Sequence, residues 1–173
     1  DLADGALRRA PDHVLAQPTE AIVERLTHML DQLDGHPLDE LRITLRHLDP
    51  STGRATVEVV WKDRPFLLST ITSELVTSGL EIRGTFHPIL GLELDEDGEL
   101  RGFAPARPAA DRASVIQVDV RGVQDDQGGV DALLARLRAD LEDIEVVTSD
   151  HAAMRAEIEA GAAALATGEP GDA

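Results

Sequence analysis

The stretch Val57–Pro88, VEVVWKDRPFLLSTITSELVTSGLEIRGTFHP, restricts the fold more than any other part of the chain. Val57, Val59 and Trp61 alternate with Thr56, Glu58 and Val60, the period-two pattern of a strand with one apolar face. Lys62-Asp63-Arg64-Pro65 breaks that period. Pro65 has a fixed φ and no N–H to lose, so it suits the first turn of a helix, and Asp63 just before it is placed to cap that helix. Leu67, Leu68, Ile71, Leu75 and Val76 then recur at helical spacing. Ser78-Gly79 stops the helix, because glycine adopts the left-handed conformation that ends one. Leu80, Ile82 and the residues up to Ile89 leave as a second strand. A strand-helix-strand unit of this length takes a right-handed crossover and needs a sheet to pack on.

The flanking segments supply that sheet. Ile22, Val23, Leu26, Met29, Leu30 and Leu33 form an apolar stripe, with Glu20, Glu24, Arg25 and Asp31 opposite, which predicts a helix over 19–33 packed on its own domain. Residues 41–48, LRITLRHL, alternate as a strand, and Asp49-Pro50-Ser51-Thr52-Gly53 is turn chemistry, so they form a hairpin with the strand at Val57. Pro88 lies within the later run Phe86–Leu94 and marks an edge or a bulge there. Asp95-Glu96-Asp97-Gly98 reads as a turn, Glu99–Phe103 as a short return strand, and residues 104–113 as a loop. Ser114–Arg121 is a strand with Ile116, Val118 and Val120 on its core face. Gly128-Gly129 precedes a helix over Val130–Glu142. In the stretch 144–148, β-branched residues favour a closing strand, while the spacing Leu141, Ile144, Val147, His151 favours continued helix; the strand is the reading adopted. Asp150 then caps an Ala-rich helix to about Ala166. The expected fold is α+β, an antiparallel βαββαβ sheet with helices on one face, an extra N-terminal strand and terminal helices. The expected divisions are a helical segment at 1–38, the sheet domain at 39–149, and a C-terminal helix and tail at 150–173.

Charge and composition narrow the function. The net charge is −17, which repels a phosphate backbone and disfavours anionic membranes. There is no cysteine, which excludes disulfides and thiol chemistry and fits a reducing cytoplasm. No apolar run approaches the length of a membrane span. The chain begins at Asp1 without a methionine, as either a trimmed chain or an internal piece of a longer protein would.

Chemical motifs are few. Neither GxGxxG nor GxxxxGK[ST] occurs, so a nucleotide site has no motif behind it. The six histidines show no HxxxH or HExxH spacing, so no metal site is expected. Asp95, Asp97 and Glu99 resemble the start of a calcium loop, but Leu100 stands where that loop needs glycine, which leaves a solvated turn. His87, before Pro88 at the end of a strand, is expected to brace a kink by bonding a nearby carbonyl.

Two sets of residues also carry a family resemblance. Asp63-x-Pro65, Leu67-Leu68, Ile71, Leu75, Gly79-Leu80 and Ile82 resemble the opening half of an ACT domain, a ferredoxin-like βαββαβ regulatory fold. Pro65-Phe66-Leu67-Leu68, Gly79-Leu80-Glu81-Ile82, His87-Pro88-Ile89-Leu90 and Ile116–Val120 resemble, more closely, the N-terminal region of the large bacterial NAD-specific glutamate dehydrogenases. The resemblance implies a non-catalytic regulatory or assembly domain, with NAD bound by the parent enzyme and no cofactor on this piece. It implies as partners the rest of that enzyme, a homo-oligomer that covers the open face of the sheet, and an amino-acid effector. A stand-alone amino-acid-sensing module is the alternative. The candidate effector or interface region is Asp63, Arg64, Pro65, Phe66 and His87. Amino-acid-binding ACT domains usually carry glycine where Phe66 stands, so Phe66 is expected to fill the ligand space or cover an interface.

Overall fold

Two strands rich in valine meet at the centre of the sheet. The computed structural model describes residues 2–8, 10–95, 100–106, 111–124 and 126–167. Its elements are α1 (Leu2–Leu7), α2 (Asp12–Leu15), α3 (Thr19–Leu33), β1 (Arg42–Asp49), β2 (Arg54–Lys62), α4 (Leu67–Thr77), β3 (Glu81–Phe86), β4 (Ile89–Leu94), β5 (Leu100–Ala104), β6 (Arg112–Arg121) and α5 (Gln127–Thr167). β2 pairs antiparallel with β6, from Arg54 opposite Arg121 to Lys62 opposite Ala113. β1 lines the other edge of β2, through the turn at Pro50–Thr52. β3 and β4 both run along the far edge of β6, so they are one strand broken at His87-Pro88, and β5 closes the sheet beside β4.

The α+β, ferredoxin-like sheet forms, but one strand is not where the β-branched residues pointed. The closing strand expected at 144–148 is helix, because α5 runs straight through it. Its place beside β2 is filled by β1, which is therefore the fourth strand of the core and not an addition to it. Two physical facts decide this. β1 already satisfies the hydrogen-bonding edge of β2, so a later strand finds no partner there. Leu133, Leu137, Leu141 and Ile144 also lie on one buried helical stripe, so the helical period meets the burial that a strand would have provided.

The two faces of the sheet differ. α4 and α5 cover the first, where Leu67, Ile71, Leu75, Leu137 and Leu141 pack on Val57, Val59, Trp61, Ile116, Val118 and Val120. Glycine ends α4 as its sequence predicts: Gly79 has φ 80°, and the Leu80 N–H returns to the Leu75 carbonyl at 3.0 Å. The second face is not left for another molecule to cover. The chain's own N-terminal helices bury Ala6, Val14, Met29 and Leu33 there against Val60, Phe86, Leu90 and Val115.

Half of that second face is polar, and this turns α3. Thr56, Glu58 and Gln117 are buried in the sheet beneath it. Arg25, expected on the outer side of the helix, reaches down to Gln117 Oε1 at 2.8 Å and Asp119 Oδ2 at 3.0 Å. His28 bonds Glu58, whose other oxygen accepts from Gln117 Nε2 at 2.9 Å. Thr56 Oγ1 donates to Asp119 Oδ1 at 2.7 Å. Val23 and Leu30 are left exposed in exchange.

Candidate functional site

The break between β3 and β4 builds the site. Pro88 has no N–H to give a neighbouring strand, but its carbonyl accepts from the Val115 N–H at 3.1 Å and keeps the broken strand on β6. The ring of His87 then reaches across, with Nε2 3.1 Å from Ser114 Oγ. Ser114 is fully buried, and its hydroxyl donates to Asp63 Oδ1 at 2.8 Å. Asp63 Oδ2 pairs with Arg112 NH2 at 3.2 Å, and the Asp63 N–H donates to the Arg112 carbonyl at 2.8 Å. One chain of hydrogen bonds therefore links the end of β2, the start of β6 and the strand break. Burial holds the His87 imidazole below its usual pKa of about 6.5, with the Asp63 charge opposing. The ring is thus neutral near pH 7, and it donates from Nε2 because the serine proton is committed to Asp63.

The chain borders a cavity of about 640 Å³. Its polar rim carries Asp63, His87 and Arg112 from the sheet and Asp4 and Arg8 from the N-terminal segment. Ile89, Leu90 and Phe103 supply apolar wall. Arg8 pairs with Asp4 at 2.9 Å, and both side chains are largely exposed.

Three residue types of a hydrolytic triad are present, but their order is wrong for one. A nucleophilic serine gives its proton to histidine, which a carboxylate orients. Here serine is the buried middle member and donates to the carboxylate directly. Among the described residues no group of three or more His, Asp or Glu side chains is arranged to hold a metal ion, and no helix is long and apolar enough to cross a membrane.

Of the five expected site residues, Asp63 and His87 come together at the cavity, and Arg64, Pro65 and Phe66 do not. Asp63 is not the cap of α4, because both its oxygens are engaged by Ser114 and Arg112. Pro65 lies in the turn before the helix, outside its first turn. The Arg64 guanidinium lies 3.7 Å from the Trp61 ring centroid and pairs with Glu145 at 3.2 Å, tying the end of β2 to α5. Phe66 is the N-cap of α4, with φ 69° and no side-chain cap. That left-handed backbone swings the ring outward to 64% exposure, so Phe66 does not fill space inside this domain. A left-handed phenylalanine costs about 1–2 kcal/mol relative to the ordinary backbone. His87 does brace the strand kink, but its partner is a hydroxyl and not a carbonyl.

Arg112, Ser114, Asp4 and Arg8 were not legible as site residues. Ser114 stands opposite Trp61, one pair from the end of the β2–β6 register, and only that register brings it to Asp63. Asp95, the first residue of the calcium-like run, pairs with Arg101 at 2.7 Å; residues 96–99 lie outside the described residues.

The depressed His87 pKa makes stability pH-dependent. Below about 6.5 the unfolded chain binds a proton that the folded ring resists, so stability is full above that pH and falls as pH drops through it. Denaturant melts at pH 7.5 and 5.5 should show this loss, and His87→Gln should reduce it. His36, depressed by burial and by Arg42, leaves a residual slope. An unchanged slope in His87→Gln would rule out this assignment.

The profile of a family described as glutamate dehydrogenase, ACT1 domain, matches residues 10–141, well over half of the chain. No curated protein and no solved structure matches it.

Proposed function

The chain belongs to the glutamate dehydrogenase ACT1-domain family, and from that premise we propose that it is a non-catalytic regulatory or assembly domain at the N-terminal end of a large NAD-dependent glutamate dehydrogenase. The parent reaction is the oxidative deamination of L-glutamate to 2-oxoglutarate with NAD, carried out elsewhere in that enzyme in the cytoplasm. The family match carries this reading. The hydrogen-bond order at Asp63, Ser114 and His87 fits the non-catalytic part, since it commits the Ser114 proton to Asp63 and not to His87. The partners are the rest of the parent enzyme and a second copy of the chain. The exposed, backbone-strained Phe66 favours docking of this kind, because strain of that sort is retained where a side chain has a task.

The test has two arms. The purified chain should form no NADH from glutamate and NAD, and measurable turnover by it alone would overturn the proposal. Deleting it from the parent enzyme should change the effector response or the oligomeric state. A deletion that alters neither would also overturn it.

One observation favours a second reading, an amino-acid-sensing module: the cavity beside Arg112 has the size of a small-molecule site. Under that reading free amino acids raise the melting temperature by mass action, and a screen without any shift removes it.

A further inference from the structure

We propose that the cavity at the β3–β4 break binds a small carboxylate with an apolar body, such as a branched 2-oxo acid, and that the ligand ties the N-terminal helix α1 to the sheet. The inference concerns this cavity and does not depend on the parent reaction.

The donor and acceptor inventory leads to the ligand. Each oxygen of Asp63 already accepts a bond, one from Ser114 and one from Arg112. A ligand ammonium group would have to share those oxygens with Ser114 and with the Arg112 charge. The Arg112 guanidinium spends one nitrogen on Asp63 and is a third exposed, which leaves further N–H groups toward the cavity. Arg8 spends one nitrogen on Asp4, in an ion pair open to solvent. Such exposed pairs are weak, so exchanging the Asp4 carboxylate for a ligand carboxylate costs little. Neutral His87 adds no charge against an anion's partners. The polar groups best placed to act are therefore donors, and they come from the end of α1 and the start of β6, which both line this cavity. Ile89, which is 40% exposed, and Phe103 provide apolar surface for the ligand body.

An amino acid is the weaker fit for the same reason. Its ammonium group would meet two guanidinium groups and would have to compete with Arg8 for Asp4 or with Arg112 for Asp63. A second consequence concerns α1. It contributes Ala6 to the core, with Leu2 and Leu7 packed beside it, while the side-chain ion pair at its Arg8 end is the exposed one with Asp4. A carboxylate shared between Arg8 and Arg112 clamps that end.

The experiment titrates the intact chain calorimetrically with 4-methyl-2-oxopentanoate, with leucine, and with leucinamide. The 2-oxo acid should bind saturably and more tightly than leucine, and leucinamide should not bind. Arg8→Gln, a surface change that leaves the fold intact, should weaken the 2-oxo acid about tenfold or more, as loss of a charge-assisted bond does. Arg112→Lys should weaken it while keeping the Asp63 pair. Amide resonances of residues 4–8 and 87–90 should shift together on titration. No saturable binding of the oxo acid, leucine binding as tightly as it, unchanged affinity in Arg8→Gln, or shifts confined to other residues would each overturn the proposal. These readouts are heat and resonance shifts, so the outcome is separate from that of the dehydrogenase assay.

Discussion

Trp61→Ala should lower the free energy of unfolding by about 3–5 kcal/mol, the range for removing a large buried aromatic side chain. Trp61 is 1% exposed at the end of β2, under α4 and α5. Its indole N–H also reaches the Asp39 carbonyl at 3.3 Å, and its ring carries Arg64. The change therefore opens a cavity, removes the bond to that carbonyl, and releases the guanidinium that ties β2 to Glu145. Trp61→Phe keeps most of the packing and should cost clearly less. Trp61 is the single tryptophan of the chain, so wild-type unfolding can be followed by fluorescence and the variants by circular dichroism. A loss below about 1 kcal/mol for Trp61→Ala would mean that this end of the core is not packed as described.

Arg25→Ala should cost about 3 kcal/mol, because it leaves the Asp119 carboxylate without its cation and Gln117 Oε1 without its donor under α3. The Arg25 side chain is only 11% exposed, so the loss should persist in 0.5 M salt, where surface pairs are screened. The double change Arg25→Met with Asp119→Leu removes both charges and should cost less than Arg25→Ala alone. That comparison, read from denaturant midpoints, separates a stranded carboxylate from simple loss of contact. If the double variant is worse than the single one by the full cost of a second mutation, the two residues are not coupled.

What the sequence disclosed follows from how local each signal is. The β2–α4–β3 unit was readable because period two, period 3.6 and the Gly79 stop all lie within a few residues of one another. The rotation of α3 was not. Its cause is a polar strip that pairs Glu58 with Gln117, 59 positions apart, and no helical wheel contains that information. His87 was visible as a kink residue through Pro88, but its partner Ser114 is 27 positions away and is set by strand register. At Ile144–Thr148 the local preference was real and lost. The edge it needed had been taken by Arg42–Asp49, and residue propensity does not report which edges are occupied. Phe66 misled in another way. Its neighbours resemble a packed helix start, while its own left-handed backbone, which no side chain announces, sends the ring outward.

The substitution of β1 for a C-terminal strand also changes the order in which the domain can assemble. A closing strand at the end of the sequence would leave the valine-rich edge of β2 unpaired until the whole domain had been synthesised, open to pairing with other chains. Here β1 emerges first and β2 follows after a turn braced by Asp49, whose carboxylate accepts from the Ser51 N–H, and by Gly53 at φ 64°. The hairpin protects that edge with contacts near in sequence, which lowers the contact order and shortens the search for the native pairing. The long-range pairing left to the centre of the sheet is that of β6 with β2, from Arg54 opposite Arg121 to Lys62 opposite Ala113.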